Sequence, residues 1–341
     1  MIWRFVEIST QLSLLMGSEN DYMQTINIGF IGTGGIAHLH AGQMQALEGV
    51  NIVAVAEPNE QSALQFLTSF NLTNVRRYSG HKEMLEEGGL DAVIICSPHT
   101  LHFTQAFDVL NAGCHVLIEK PMTCSSQEAE QLINAAEANS RLLQVSYQRH
   151  FQPEFIYIRQ AIADGVIGKL SSINATLYQD WKRSQTGTWR QNAALSGGGM
   201  LMDSGSHIID VLLWTTGLTP LEVKSTLSTH GAPVEIDSFT SIRFEEGAVA
   251  ALNIVGFVPG FKEFYSFCGD LGVIYLENGR IEVSTYKDGV LQVKLPAQTT
   301  NQDKSFIDAI RGEHEILVSG DYARKVIQLT EAIYRSADYQ V

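Results

Sequence analysis

The chain has only four cysteines, Cys96, Cys114, Cys124 and Cys268, and none stands in a C-x-x-C or other metal-ligand spacing. Three lie in or beside apolar strand-like segments, which predicts buried free thiols in a reducing compartment. Basic residues are scarce too, 23 against 37 acidic ones for a net charge of −14, and no Lys/Arg-rich run breaks that balance. Such a bulk field repels nucleic acid and anionic membrane surfaces, so neither is expected as a partner. No segment reaches the ~18 apolar residues of a membrane span. The amino terminus shows neither the cationic head nor the unbroken apolar run of about 7–15 residues that a secretory signal needs. Residues 1–24 therefore read as a leader outside the fold, disordered or a start-site artefact with Met23 as the alternative start. The expected compartment is the cytoplasm.

What is present is the balance of a globular enzyme, 45% apolar and 18% charged over 341 residues, a length for about two domains. From Ile26 to about Tyr147, short Val/Ile-rich runs alternate with amphipathic stretches. The runs Ile26–Ile31, Ile52–Ala56, Ala92–Cys96, His115–Ile118 and Leu142–Val145 are too continuous to have a solvent face, as in parallel strands buried on both sides. Helical stretches Gly35–Leu47, Asn59–Phe70, Thr100–Asn111 and Ser125–Asn139 separate them. This grammar predicts a doubly wound α/β domain over residues 25–147. Ser125 with Glu128 three residues on suggests a capping box, and Asn111-Ala112-Gly113 a helix stop.

After Gln148 the pattern turns to β. Leu170–Tyr178, Leu221–Thr229, Ser238–Phe244, Ala248–Val255 and Phe264–Cys268 alternate in period two, with helices expected at Pro153–Asp164, Met200–Trp214, Asp303–Arg311 and Asp321–Ala337. Residues 148–341 are thus expected to form an α+β domain on a large, mostly antiparallel sheet. Its last helices are free to pack back on the first domain.

Three groups of residues carry chemistry. Gly32-Thr33-Gly34-Gly35-Ile36-Ala37 joins the first strand to its helix and matches G-x-G-x-x-A. The first glycine permits a tight turn, the second lets a pyrophosphate approach the backbone, and Ala37 allows close packing above a helix N-terminus. Alone the hexapeptide is weak evidence, but Glu57 ends the second strand 25 residues past Gly32. A carboxylate there accepts from both ribose hydroxyls and repels a 2′-phosphate, which favours NAD over NADP. Next, Lys120 emerges at the carboxyl end of the strand His115–Ile118, where ligands bind in open parallel sheets. An ammonium there can hold a hydroxyl that becomes a carbonyl, although a lone lysine reads as readily as a solvated loop residue. Finally, Asp203, His207 and Asp210 recur at i, i+4 and i+7 on an expected helix that lacks Lys, Arg and Glu from Met200 to Thr216. That composition favours a cleft edge over a solvent face, with a carboxylate holding the imidazole in one tautomer. His38 and His40 point to different helix faces, and no metal site is expected.

Taken together these residues resemble the glucose–fructose oxidoreductase / inositol dehydrogenase (Gfo/Idh/MocA) family, from about Ile26 to Ala337. Besides the glycine turn, the resemblance rests on Ser97-Pro98 with His102, Ala112 through Pro121, Tyr147-Gln148-Arg149, Trp189-Arg190, and Asp203-x-Gly205-x-His207-x-x-Asp210. It implies an N-terminal Rossmann domain and a C-terminal open sheet that builds a homo-dimer or homo-tetramer. It further implies a catalytic pair, Lys120 and His207, with Asp203 beside them. Cofactor contacts carry over onto Gly32, Gly34, Gly35, Ile36, Ala37, Glu57, Ser97, Pro98, His102, Glu119, Lys120 and Gln148. Arg149, Trp189 and Arg190 fall on the substrate side with Asp203 and His207, although loop packing explains Trp189 and Arg190 almost as well. His99 stands where relatives often carry Asn. The implied reaction is NAD-dependent hydride transfer to or from a sugar, inositol or related cyclic polyol. Two alternatives stay open: an NAD-dependent glycosidase using transient oxidation, and a non-catalytic NAD or sugar sensor.

Overall fold

The computed structural model describes residues 25–340, so the expected leader and the Met23 start lie outside the described residues. The first half builds β1 (Ile26–Ile31), α1 (Gly35–Gln45), β2 (Val50–Ala56), α2 (Glu60–Ser69), β3 (Arg76–Tyr78), α3 (His81–Glu87) and β4 (Ala92–Ile95). There follow α4 (His102–Asn111), β5 (His115–Ile118), α5 (Ser126–Ala138) and β6 (Leu143–Val145). All six strands are parallel, in the order β3-β2-β1-β4-β5-β6. The continuous apolar runs have the reason expected: Ile28, Phe30, Val93, Ile94, Val116 and Leu117 are fully buried between helical layers. Helix ends follow their local chemistry. Ser125 Oγ accepts from Glu128 N at 3.2 Å, and Gly113 adopts φ 81° past the end of α4.

The second half comprises α6 (Pro153–Ala163), β7 (Leu170–Gln179), the short α7 (Trp181–Ser184) and α8 (Ala193–Ser196), α9 (Gly205–Thr216), β8 (Pro220–Ser228), β9 (Asp237–Phe244), β10 (Val249–Val255) and β11 (Phe261–Gly269). Then come β12 (Gly272–Glu277), β13 (Arg280–Thr285), β14 (Gly289–Leu291), α10 (Gln302–Ile310) and α11 (Gly320–Ser336). The eight strands run in the order β14-β13-β12-β11-β7-β10-β9-β8. Every neighbouring pair is antiparallel except β7 with β10. In β9, Ser238, Thr240, Ile242 and Phe244 point into the core while Phe239, Ser241 and Arg243 are exposed, so the sheet has one open face. The chain is therefore an α/β protein with two sheets.

Helices α10 and α11 return to the first sheet. Phe306 and Ile307 join the core of β1 and β4, and Val145 N donates to Val318 O at 3.0 Å. Seven of these elements escaped the sequence pattern: β3, α3, the short α7 and α8, and β12 to β14. Strand β3 is three residues with two arginines, held by pairing with β2, and β14 buries almost nothing, so neither carries an apolar signature. The apolar stretch from Met200 also needs correction. Residues 200–204 form a turn, with Asp203 N on Gly199 O and Gly205 N on Met200 O, and the helix starts only at Gly205.

Candidate active site

The dinucleotide turn takes the form its glycines allow. Gly32 has φ 87°, and a Cβ there would press on the Cys96 carbonyl and Ser97 N at 2.9–3.0 Å. Gly34 and Gly35 face open space with nothing within 4 Å of a built Cβ, and no side chain caps the N-terminus of α1. An open cradle beneath unpaired helix N–H groups fits a pyrophosphate. Ala37 is fully buried under it, and Ile36 partly so. Glu57 lies beside this turn: Oε2 accepts from Thr33 N at 3.0 Å, and Oε1 from Asn59 N at 2.9 Å. The Glu57 carboxylate is thus held in place in part by the glycine turn itself.

The strongest electrostatic feature lies at the carboxyl end of β5. Lys120 Nζ donates to Asp203 Oδ1 at 3.1 Å and to the Asp203 carbonyl at 3.3 Å. Asp203 Oδ2 accepts from Trp181 Nε1 at 2.8 Å and from Arg190 Nε at 3.1 Å. Burial alone raises the Asp203 carboxyl, but the Lys120 ammonium, with Arg190 and the Trp181 N–H, holds it well below the usual carboxylate range. Asp203 is an ionised hub that binds a lysine from the first sheet to a tryptophan after β7 and an arginine from the loop behind it.

His207 sits in the first turns of α9, half-buried. Burial, then the Lys120 and Arg149 charges, push its pKa well below that of an ordinary histidine, against the opposing pull of Asp203. It is a neutral imidazole. The expected carboxylate partner is missing, since His207 Nδ1 has no hydrogen-bond partner among the described residues. Asp210 cannot supply one: its Oδ1 receives His150 Nε2 and Tyr322 OH, each at 2.7 Å, in a separate buried cluster. With Asp203 in the preceding turn and Asp210 turned inward, the single stripe read from i, i+4 and i+7 does not exist.

Arg149 follows β6 and reaches the near end of β11. Its Nη1 lies 2.6 Å from Glu263 Oε1 and 2.8 Å from Tyr265 OH, which itself donates to Glu263 at 2.7 Å. Trp189 packs edge-on against His99, ring centroids 4.7 Å apart, with the Arg190 guanidinium 4.5 Å over its face. Ser97 and Pro98 close β4, and Gln148 opens the turn after β6, half-buried. His102 exposes no ring nitrogen: Nδ1 faces Pro121 O at 2.8 Å and Nε2 faces Ser97 O at 2.9 Å. It braces the Ser97 loop against Pro121 from behind.

Several residues that build the site had no role assigned from the sequence, where His99 stood only as a departure from the family pattern and His40 only as a histidine without a metal. His99 is buried, with Nδ1 2.9 Å from Ser196 O and Nε2 3.8 Å from Asp203 Oδ1. Burial pushes its pKa down to about 3, so the neutral ring donates from Nδ1 and keeps Nε2 as an acceptor. Trp181 gave no local signal. His40 is completely buried, with Nδ1 2.7 Å from Asp303 Oδ1 and Nε2 3.0 Å from Glu119 Oε1. Glu119 Oε2 in turn receives Lys120 N at 3.2 Å, so a carboxylate–imidazole–carboxylate chain runs from α10 to the residue next to Lys120. His38, by contrast, rests on Phe66 and Phe70. Of the cysteines, all four are free and only Cys114 is fully buried. Among the described residues no group of three or more His, Cys, Asp or Glu side chains is arranged to hold a metal ion, and no helix is long and apolar enough to cross a membrane.

Residues 26–147 match the model for an oxidoreductase family with an NAD-binding Rossmann fold, and residues 155–282 match the GFO/IDH/MocA C-terminal domain. The protein is an NAD(P)-dependent oxidoreductase, and its first domain binds NAD. More narrowly, the chain belongs to the GFO/IDH/MocA family. D-glucoside 3-dehydrogenase of Escherichia coli (strain K12) is 23% identical over 92% of this chain and 95% of its own. Levoglucosan dehydrogenase of Pseudarthrobacter phenanthrenivorans is 24% identical over 72% and 71%. A solved levoglucosan dehydrogenase in complex with NADH and levoglucosan superposes with a TM-score of 0.82 at 22% identity, covering 92% of this chain and 98% of that one.

Proposed function

We propose that the protein oxidises a ring hydroxyl of an uncharged sugar, inositol or related cyclic polyol, or reduces the corresponding ketone, with Lys120 and His207 as the catalytic pair. One observation carries this reading: an ammonium tied to Asp203 stands near a neutral imidazole at the carboxyl end of the NAD-binding sheet. Bound NAD supplies a hydride acceptor for the substrate carbon. His207, uncharged, accepts the hydroxyl proton. Lys120 donates to the same oxygen and stabilises the charge that grows on it as the carbonyl forms. Asp203 fixes the direction of that ammonium. Glu57 reads the adenosine ribose and excludes a 2′-phosphate.

Glu263 supports the uncharged character of the substrate. Arg149 is already neutralised by that carboxylate, leaving N–H groups suited to hydroxyl oxygens rather than an unpaired cation for a substrate carboxylate. The names of the glucoside and levoglucosan relatives point the same way. The open face of the second sheet, with Tyr178, Phe239 and Val249 exposed, is the surface through which copies of the chain would associate.

The test is a panel of neutral sugars, glycosides and inositols beside uronic acids, with NAD or NADP. Stoichiometric NADH from a neutral polyol, lost in Lys120→Ala and His207→Ala, supports the reading. Aglycone release without net NADH would assign the glycosidase alternative. Tight NAD binding with no turnover of any compound would leave the sensor.

A further inference from the structure

We propose that Glu235, in the turn between β8 and β9, is the positioning residue of the active-site turn: its buried carboxylate gathers the backbone N–H groups of Gly199 and Leu201 and thereby sets Asp203. Gly199 N donates to both carboxylate oxygens at 2.7 Å, and Leu201 N donates to Oε1 at 3.1 Å. The Glu235 carbonyl accepts Met200 N at 3.0 Å, so one residue holds three consecutive peptide groups. Gly199 O then accepts Asp203 N at 3.0 Å, which passes the constraint to the hub of the site. The closeness of this grip explains a glycine: a Cβ at Gly199 would run into the Glu235 carbonyl.

Glu235 is fully buried. The titratable groups that face it are Tyr334 of α11, whose OH donates to Oε1 at 2.8 Å, and Tyr339, stacked on Tyr334 at 5.6 Å. No cation among the described residues pairs with it. A carboxylate satisfied only by neutral donors has no Coulombic partner to offset its desolvation. Burial accordingly raises its pKa to about 7, against the lowering effect of Tyr334 and of the Gly199 and Leu201 amides. A proton placed on Oε2 removes an acceptor from Gly199 N and weakens the charge-assisted bonds that hold the turn. The turn that carries Asp203 is therefore held hardest above neutrality and loosens as the pH falls, whereas the neutral His207 keeps its capacity as a base across that range.

The consequence for catalysis rests on the proposed roles of Lys120 and Asp203; the consequence for the turn does not, and the test separates them. Amide hydrogen exchange over residues 197–205, corrected for intrinsic rates, is measured against pH in the full chain with NAD. Wild type should show protection falling as the pH drops through about 7. Glu235→Gln should be less protected above about pH 7, on the order of 10- to 100-fold at alkaline pH, and should converge with wild type below it. Tyr334→Phe removes one donor and should move the midpoint upward, a shift that a merely structural residue would not produce, and it serves alone where Glu235→Gln does not fold. With a substrate from the panel, the pH course of kcat should track each protein's own exchange midpoint, higher in Tyr334→Phe than in wild type, while KM for NAD stays constant. Equal protection in Glu235→Gln and wild type, or an unmoved midpoint in Tyr334→Phe, overturns the proposal. Shifted exchange midpoints with no turnover of any polyol keep the clamp and reject the proposed function instead.

Discussion

Replacing His40 by glutamine tests how the two halves of the chain are joined behind the active site. The imidazole lies fully buried between Asp303, on α10, and Glu119, next to Lys120. Burial lowers its pKa, but Asp303 and then Glu119 outweigh that effect and push it up to about 10. Burial conversely raises the Asp303 carboxyl against the pull of His40, while Glu119 is lowered, chiefly by its bond to that imidazole. The group is thus a cation between two carboxylates. A histidine raised from 6.5 to about 10 gains roughly 5 kcal/mol of folding free energy at about 1.4 kcal/mol per pH unit. The sign follows from proton counting. Between about pH 6.5 and pH 10 the folded state keeps a proton that the unfolded state has released, so this contribution is complete below 6.5 and is lost as the pH rises through 10. At about pH 7, His40→Gln strands two buried carboxyls and should cost about 3–5 kcal/mol in urea or guanidinium unfolding. The gap to wild type should narrow steadily toward about pH 10. Unfolding curves that stay parallel over that range, or a loss under about 1 kcal/mol, would refute the charged triad.

Two further outcomes follow from the site. Asp203→Asn releases Lys120, Trp181 and Arg190 together and should lower kcat/KM on the order of 100-fold, with a change in Trp181 fluorescence. It also deletes the carboxylate that raises His207, so the part of the acid limb that belongs to His207, below the Glu235 transition, should move to lower pH. Glu57→Ser removes the carboxylate braced on Thr33 and Asn59 and should raise KM for NAD and narrow NAD/NADP discrimination by about tenfold; unchanged discrimination would remove its assignment.

Much of the first domain was legible because its signals are local. A strand buried on both faces must be apolar throughout, a pyrophosphate turn must have glycine where a Cβ collides, and Ser125 announces a helix start by its own hydroxyl. Strand β3 failed to announce itself because it has almost no apolar content, and its pairing with β2 is supplied by the neighbour. The error at Met200–Trp214 has the opposite cause. Apolar residues suit a buried turn as well as a buried helix, and here the Glu235 carboxylate, 36 residues past Gly199, holds the segment as a turn.

The sequence by itself determined the alternation of elements, the glycine cradle and the chemical types at Glu57, Lys120, Asp203 and His207. Those properties depend on neighbours within a few positions. The tertiary structure alone decided which charges meet. It gave Asp203 to Lys120, Trp181 and Arg190 rather than to His207, turned Asp210 toward His150, locked Arg149 on Glu263, and set His40 between Glu119 and Asp303. Electrostatic pairing falls off over a few ångströms of space and is indifferent to distance along the chain, so partners 263 residues apart leave no trace in the local pattern.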